Sequence, residues 1–414
     1  MKNFLVHNDE IKNEMLNAIG AQSIRDLFKQ IPREACVNEF TLGNPLSEMD
    51  VHKQIKALSK KNKTDYISFL GGGVYNKFIP ACVGQIAQRF EFLTAYTPYQ
   101  AEISQGTLQV MYEFQTMISR LTGMDISNAT VYDGGTACAE AILMAKRITK
   151  KNKALVSSTL NPQYIEVIKT YSWANEVELD WFDEIPGNTS DYACVLAQNP
   201  DYYGEIREYN PVETLFIVCC DVSSLALLTP PSDYGADIVV GDIQSLGIPM
   251  EFGGPHAGFI ATKEKYLRQI PGRLAGKTVD ADGNSAFCLT IQTREQHIKR
   301  EKATSNICSN QALVGLCATV YLSALGEKGF REAGFLSAKQ AHKLAEKLVS
   351  KGYKVLNNNF YNEFVLKVND VDVFLTKLKE NNILGGIKVD NSKLLIAATE
   401  MTSDEDIDLY INAA

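Results

Sequence analysis

Two glycine-rich turns have the composition of places where backbone approaches a bound phosphate or small ligand. Gly134, Gly135 and Thr136 lie between a short apolar run and a helical stretch, and N–H groups at the start of a helix favour a phosphate. A plain strand-to-helix turn explains the same residues, and spacing alone favours it. The second turn, residues 69–80 with three consecutive glycines, suits a ligand-contacting loop and a hinge equally well.

A carboxylate and a loop follow two further apolar runs. Asp221 ends the run 215–220, and α/β folds bind ligands at the carboxyl ends of their strands. It could pair with a protonated ring nitrogen, although a helix cap or turn is favoured for Asp221 by itself. The stretch 236–262 has the layout of a loop that carries a cofactor-binding lysine, but the nearest following lysine is Lys263, beyond the second apolar run.

Two polar stretches could contact a ligand or partner. Residues 96–109 (YTPYQAEISQGTLQ) concentrate polar and aromatic groups, which favour binding when they lie in a loop. A cap by Ser104 on the following helix explains one of them and leaves the tyrosines unexplained. Residues 293–306 contain Arg294, Lys299, Arg300 and Lys302, which could hold a phosphate or carboxylate. Spacing alone favours a solvated helix face with glutamate partners.

The elements that must position these residues are those of an α/β fold. Short apolar runs, separated by helical stretches, predict buried parallel strands near 129–132, 153–158, 193–198, 215–220, 236–240 and 258–262. A helix is predicted to follow Gly134–Thr136. The turn between 240 and 258 has no room for a crossover helix, so the strand at 258 is predicted to run antiparallel to the others.

Three regions are predicted along the chain. Residues 1–63 are expected to form a helical arm, with Asn8 or Asp9 capping a helix to about Ile19 and Ser23 capping another. Residues 64–310 form the large α/β domain. Residues 311–414 begin with a long helix and continue as a small α+β domain, whose last helix is capped by Thr402 or Ser403.

Composition excludes several function classes. The formal charge is −8 at pH 7, which points neither to nucleic acid nor to anionic membrane surfaces. An odd count of nine cysteines, without framework spacing, indicates reduced thiols and a cytoplasmic protein. The five histidines are scattered, so no metal site is expected. No signal peptide or membrane span is predicted.

The order of phosphate turn, strand-end Asp221 and following loop resembles that of fold-type-I pyridoxal-phosphate enzymes. Four strings are more specific: YTPYQAEISQGTLQ, YDGGTACAEA, GDIQSLGIPMEFGGPHAGF and TREQHIKREKATSNIC. They look like the P-protein of the glycine cleavage system, glycine dehydrogenase (decarboxylating), and in particular its subunit 1, the alpha subunit of the two-subunit bacterial form. The resemblance covers essentially the whole chain.

The resemblance implies a transferase-like fold with a mixed, mostly parallel sheet, and a subunit without its own cofactor. In the beta subunit (subunit 2) the corresponding loop reads like His-Lys-Thr, and its lysine holds pyridoxal phosphate. Here Gln244 stands at the lysine position, and a neutral amide cannot take that role. The resemblance therefore implies that this chain supplies no catalytic residue of its own. Gly134, Gly135, Thr136 and Asp221 would be relics of a cofactor site.

The family reaction implies the partners. Glycine is decarboxylated and its aminomethyl group passes to the lipoyl arm of H-protein, in an assembly expected to be α₂β₂. Candidates for reaching the partner's site or the lipoyl channel are Tyr96, Thr97, Tyr99, Gln100, Glu102, Ser104, Arg300 and Lys302.

Two alternatives remain open on sequence alone. The chain could be a self-sufficient pyridoxal-phosphate enzyme, a decarboxylase or aminotransferase, that uses Lys263 or Lys77. It could also be a scaffold with no residue in any active site.

Overall fold

The computed structural model describes residues 8–37, 42–93, 96–210, 212–307 and 311–414. The chain divides into two compact units, Met1–Thr64 and Asp65–Ala414. In the described part, no helix is both long and apolar enough to cross a membrane.

The N-terminal unit is helical, as its polar sequence predicts. Asn8 caps the first helix by accepting a hydrogen bond from the backbone N–H of Ile11 at 2.9 Å, so the predicted cap is confirmed. Ser23 begins the second element through a capping box with Asp26, although that element is a short 3₁₀ helix. The α-helices are Asp9–Ala18 and Glu48–Ser59, and the 3₁₀ helices are Ile24–Phe28 and Arg33–Ala35.

A seven-stranded sheet forms the centre of the second unit. Its spatial order is Ile126–Ser127, Gly258–Thr262, Ile238–Asp242, Leu215–Cys219, Cys194–Gln198, Lys153–Ser157 and Glu178–Phe182. The last five are parallel. Gly258–Thr262 is antiparallel to both of its neighbours, which confirms the prediction drawn from its short preceding loop.

The predicted strand near 129–132 is wrong. That segment makes a single bridge, between Val131 and Gly258, and the edge strand is Ile126–Ser127. The other predicted strands of the sheet are confirmed. They were predictable because each is a continuous apolar run. Leu215–Cys219 is buried throughout, and its alternate side chains enter the apolar clusters on the two faces of the sheet.

Helices cover both faces of this sheet and short elements connect them. The helix predicted after the glycine turn is Gly134–Thr149, capped by Asp133. The remaining α-helices of this region are Ala81–Ala87, Phe90–Leu93, Gln105–Thr122, Pro162–Ala174 and Gln296–Lys299. The 3₁₀ helices are Ala101–Ile103, Val222–Ala226, Pro231–Tyr234, Glu264–Tyr266, Gln292–Arg294 and Arg300–Lys302. Ala275–Val279 and Ser285–Leu289 form an antiparallel hairpin.

The C-terminal part begins with the helix Ala312–Ser350, which is kinked at Gly326 (φ 61°, ψ −177°). A four-stranded antiparallel sheet follows, in the order Lys354–Val355, Glu363–Lys367, Lys393–Ala397 and Ile387–Lys388. Two helices, Val371–Glu380 and Asp404–Ala413, pack with it, and Ser403 caps the second as predicted. Ile67–Ser68 pairs in parallel with Ile383–Leu384.

Candidate functional site

A small internal cavity lies at the carboxyl ends of the central strands, where α/β folds bind their ligands. Its volume is about 40 Å³. Cys219, Cys220 and Asp221 approach it from one strand end, and Asp242 and Ser245 approach it from the next. Further residues from the glycine-rich segment, the sheet helices and the small C-terminal sheet complete its wall: Gly73, Tyr75, Asn161, Tyr164, Gln198, Pro200, Asp201, Gly204, Tyr361, Asn362 and Glu363.

The charged side chains of this wall are all acidic: Asp201, Asp221, Asp242 and Glu363. Asp201 is offset by Arg207, whose Nε donates to it at 2.9 Å. Among the described residues, no cation is paired with Glu363. Burial, followed by the charges of Asp221 and Asp201, raises the pKa of Glu363 to about 8, although hydrogen bonds oppose this rise. The cavity therefore favours a neutral Glu363 at physiological pH.

The predicted phosphate turn is occupied by carboxylates of the chain itself. Asp242 Oδ2 accepts a hydrogen bond from the backbone N–H of Gly134 at 3.1 Å. Asp133 accepts from the backbone N–H of Thr136 at 2.7 Å and from its hydroxyl at 3.1 Å. Two negative charges thus already satisfy the start of helix Gly134–Thr149. A phosphate brought to the same place would meet both of them.

Tyrosine also occupies the space above this turn. A Cβ atom added to Gly134 would lie 2.4 Å from the hydroxyl of Tyr164, so glycine is required there by a side chain of the protein. At Gly135 the nearest atom to an added Cβ is a Val167 methyl group at 3.2 Å. The glycines of this turn are explained by internal packing.

Asp221 acts as a helix cap, the interpretation that its position alone favoured. It accepts hydrogen bonds from the backbone N–H of Ser223 at 3.0 Å and from the Ser223 hydroxyl at 2.7 Å. The hydroxyl of Ser245 donates to it at 3.0 Å. Three donors of the chain thus satisfy its carboxylate.

Gln244 is buried and fully engaged with backbone. Its Oε1 accepts from the N–H of Tyr75 at 2.9 Å, and its Nε2 donates to the carbonyl oxygens of Tyr75 at 3.0 Å and Ile248 at 2.8 Å. Its neighbour Ser245 lines the cavity. The assignment of Gln244 to the lysine position stays a prediction, and Ser245 is the residue of this loop that meets Asp221. Neither side chain carries an amine.

The wall of the cavity does not fit pyridoxal phosphate, the cofactor that the resemblance implies for the family. It offers no lysine, and its charged groups would repel a phosphate. Small-molecule sites usually have volumes of about 300–1,000 Å³, far above the 40 Å³ found here. No chemistry of this chain is therefore routed through a cofactor in this cavity.

The two lysines considered as substitutes are engaged elsewhere. Lys77 is buried and donates to Ser337 Oγ at 2.8 Å and to Glu400 at 3.2 Å. Burial alone would lower the pKa of Lys77, but neighbouring groups, including Glu400, raise it overall, so its amine stays protonated. Lys263 pairs with Asp237 at 2.7 Å. Neither amine lines the internal cavity.

A second cluster joins the two polar stretches of the sequence. The guanidinium of Arg273 lies 5.3 Å from the ring centroid of Tyr99, and its Nη2 donates to the Tyr99 hydroxyl at 3.1 Å. His297 lies against the same tyrosine, with ring centroids 5.0 Å apart. Glu295 is 3.5 Å from Arg273 Nε. The structure therefore brings residues 96–105 and 293–306 together around Tyr99.

The remaining predicted contact residues lie on the surface near these two stretches. Tyr96 is 78% exposed. The backbone at Ser104 begins helix Gln105–Thr122, but its side chain makes no cap hydrogen bond, so the predicted side-chain cap is wrong. Thr97 and Ser104 are half-buried, and the others are exposed: Gln100, Glu102, Arg300 and Lys302.

Several residues of both clusters were not singled out from sequence. Asp242 is the last residue of a buried strand, and that placement at a strand end could have identified it. Glu363 and Arg273 carried no such signal. Glu363 reaches the cavity across 291 positions of sequence from its partner Gly72, and Arg273 follows a proline-glycine turn with no recognisable pattern.

In the described residues, no group of three or more His, Cys, Asp and Glu side chains could hold a metal ion.

Comparisons with known proteins agree with the sequence strings. The family model described as glycine cleavage system P-protein matches residues 2–413. The chain is 44% identical over 440 aligned residues to "Probable glycine dehydrogenase (decarboxylating) subunit 1" of Geobacillus thermodenitrificans, covering 99% of this chain and 98% of that protein.

Solved structures give the same answer. A crystal structure of glycine decarboxylase (P-protein) of the glycine cleavage system, in inhibitor-bound form, matches with a TM-score of 0.91 and 40% identity, covering 99% of each chain. Alanine–glyoxylate aminotransferase from Nostoc sp. matches with a TM-score of 0.57 and 14% identity, covering 85% of this chain and 95% of that one. This weaker likeness concerns the fold alone, which is that of fold-type-I pyridoxal-phosphate enzymes. The chain belongs to the glycine cleavage system P-protein family.

Proposed function

We propose that this chain is the cofactor-free subunit of a heteromeric glycine dehydrogenase (decarboxylating). In this proposal it pairs with a homologous, pyridoxal-phosphate-carrying subunit in a cytoplasmic α₂β₂ assembly for glycine catabolism. The assembly decarboxylates glycine and passes the aminomethyl group to the lipoyl arm of H-protein. The name "subunit 1" of the relative from Geobacillus thermodenitrificans supports the existence of a partner.

The internal cavity carries this proposal. Its lining residues include no amine, and its charged side chains are all acidic. Its volume is only about 40 Å³. Asp242 holds the backbone N–H of Gly134, so even the helix start that suits a phosphate is used internally. A chain with this cavity contributes to the reaction through another subunit's site.

The cluster around Tyr99 is the part of this chain that we assign to that neighbouring site. Tyr96 and Tyr99 are 78% and 46% exposed, and large aromatic side chains at such exposure favour contact with a partner or ligand. Arg273, which is only 2% exposed, fixes the position of the Tyr99 ring from below. Arg300 and Lys302 add positive charge nearby in sequence and would suit an anionic group of the partner or substrate.

The first experiment tests the division of labour. The chain is expressed alone and together with its partner subunit, and both preparations are treated with pyridoxal phosphate and borohydride. We expect a trapped lysine adduct on the partner and none on this chain, with glycine–bicarbonate exchange only when both are present. An adduct on this chain would overturn the proposal in favour of a self-sufficient enzyme.

The second experiment tests the assigned surface in the reconstituted complex. Tyr99→Ala and Tyr96→Ala are expected to reduce glycine–bicarbonate exchange by roughly tenfold or more, the effect of losing a central aromatic contact. Trp173→Ala is the matched control because Trp173 is 83% exposed on helix Pro162–Ala174. Normal turnover in both tyrosine variants would show that the chain acts as a scaffold at this surface.

A further inference from the structure

A second cavity, of about 400 Å³, lies at the C-terminal end of helix Gly134–Thr149. The helix has 16 residues, so this end is about 24 Å from the glycine turn at its start. We call it the basic cavity. Its polar lining residues are Lys146, Arg147, Lys150, Asn152, Asn175 and Thr304.

The charges of the basic cavity are of one sign. Lys146, Arg147 and Lys150 line it, and no acidic residue lies among its described lining residues. Cations in the last turn of a helix also interact favourably with the helix dipole. That ordinary explanation suffices for Lys146, whose Nζ donates to the carbonyl oxygen of Asn175 at 2.6 Å. It leaves Arg147 unexplained.

Arg147 belongs to a buried charge cluster that is short of acceptors. Its Nη2 donates to the Gln269 carbonyl oxygen at 3.1 Å, but its buried Nε has no hydrogen-bond partner. Arg294, whose charge acts on Arg147, leaves Nε and Nη2 without hydrogen-bond partners, but of these two arginines only Arg147 lines the basic cavity. The acceptors left open beside them are Oε2 of Glu140 and Oε1 of Glu295.

The basic cavity has an excess of positive charge. Among the described residues that line the basic cavity, three carry a positive charge and none a negative one. Glu140, which acts on Arg147, lies outside this lining. Buried donors are normally satisfied, so Arg147 lacks an acceptor oxygen and the cavity lacks negative charge. Water could supply the oxygens but would leave the excess positive charge uncompensated.

We propose that the basic cavity binds a small molecule that carries a phosphate group. Phosphate supplies several acceptor oxygens and a charge that three cations match. The volume lies in the usual range of about 300–1,000 Å³ for small-molecule sites, which leaves space for more than the phosphate itself. The amides of Asn152 and Asn175 and the Thr304 hydroxyl can then contact the neutral part of the ligand. This site is separate from the proposed glycine reaction.

Calorimetric titration of the full-length chain with inorganic phosphate tests the site at constant ionic strength. We expect saturable binding that Lys146→Gln combined with Lys150→Asn weakens by at least about tenfold, since a charge-assisted hydrogen bond contributes roughly that factor. Asparagine suits position 150 because the backbone there is left-handed (φ 61°). The matched control is Lys377→Gln combined with Lys379→Gln, which removes two lysines from the last turn of another helix.

The outcomes are distinct. Arg147→Gln should abolish binding, and if that variant fails to fold, the lysine pair alone decides. Phosphate binding that is equal in the wild type and in the Lys146/Lys150 variant overturns the proposal, as does the absence of saturable binding. Equal affinity for acetate at the same ionic strength would show a carboxylate site and would overturn the phosphate class. Glycine–bicarbonate exchange by the complex should be unaffected in the lysine variant, which separates this site from the proposed function.

Discussion

Glu363 should destabilise the fold increasingly as pH rises. Its carboxyl group is buried at 4% exposure and accepts hydrogen bonds from the backbone N–H of Gly72 at 2.6 Å and from the Tyr75 hydroxyl at 2.9 Å. Burial is the largest cause that raises the pKa of Glu363 to about 8. The substitution Glu363→Gln keeps the shape and an acceptor for Gly72, and removes the charge.

The direction and the magnitude of the change in the free energy of unfolding follow from proton linkage. The pKa is raised from 4.5 to about 8, so between these values the folded chain binds a proton that the unfolded chain has lost. The free energy of unfolding therefore falls as pH rises through this window, by up to about 1.4 kcal/mol per pH unit. Across the whole window this amounts to about 5 kcal/mol. A glutamine at this position does not titrate.

The assay is urea unfolding of the full-length chain between pH 5 and 9, with wild type and Glu363→Gln measured side by side. The difference between their free energies of unfolding isolates Glu363 from all other titrating groups. We expect the glutamine variant to gain on wild type steadily from pH 5 to about pH 8 and then to keep a constant advantage. Glu363→Leu is the control for the lost hydrogen bonds, and should destabilise by about 2–4 kcal/mol at low pH.

Parallel pH profiles of wild type and Glu363→Gln would refute this reasoning. Such a result would mean that Glu363 is ionised in the folded chain at neutral pH and that its charge is stabilised by its two donors. The internal cavity would then contain a buried carboxylate charge, contrary to the direction argued from the burial of Glu363 and its acidic neighbours.

Three further predictions concern stability. Gly247→Ala should lower the free energy of unfolding in urea by roughly 2–4 kcal/mol, and Gly352→Ala by only about 1 kcal/mol. Both glycines have positive φ, but only at Gly247 would an added Cβ meet a side chain, at 2.7 Å. His256→Gln should destabilise by roughly 1 kcal/mol at pH 5.5 and little at pH 8.5, because the hydrogen bond to Asp242 raises the pKa of His256, and the stability gained from protonation is present at low pH and lost as pH rises. Equal effects at both pH values would contradict this. Lys77→Met should cost roughly 3–5 kcal/mol because its buried carboxylate partner loses its cation, and an unchanged urea midpoint would contradict that.

The central sheet was predictable because its strands are buried on both faces. A run such as Leu215–Cys219 sends alternate side chains into different apolar clusters, so the sequence must be apolar at every position. Glu178–Phe182 escaped prediction because it lies at the sheet edge and is largely unburied. The hairpin Ala275–Val279 and Ser285–Leu289 also escaped, although an Asp-Gly turn at 282–283 lies between its strands.

The candidate site was predictable only in part. The sequence indicated the glycine turn, the strand-end carboxylate and the loop, because each lies at the end of a strand, where the fold places ligands. Their actual partners could not be read. Gly134 is hydrogen-bonded to Asp242, which is 108 positions away in the sequence, and Tyr75 is hydrogen-bonded to Glu363, which is 288 positions away. The first contact depends on how a helix packs on the large sheet and the second on how the small C-terminal sheet packs against the glycine-rich segment, and local spacing contains no information about either.

The groups around the internal cavity are held by contacts within the chain. Here a carboxylate holds Gly134, and Glu363 of the C-terminal sheet holds Gly72 and Tyr75.

The same glycine-rich segment is also fixed at its other end. Lys77 donates to Glu400, and Gln244 binds the backbone of Tyr75. Residues 72–78 are thus tied to both the large sheet and the C-terminal sheet, which opposes their relative motion. A ligand-binding cavity needs room and some freedom to close, whereas a surface offered to a partner benefits from rigidity. These contacts are in keeping with the proposal that the working surface of this chain lies outside its own cavity, at the cluster around Tyr99.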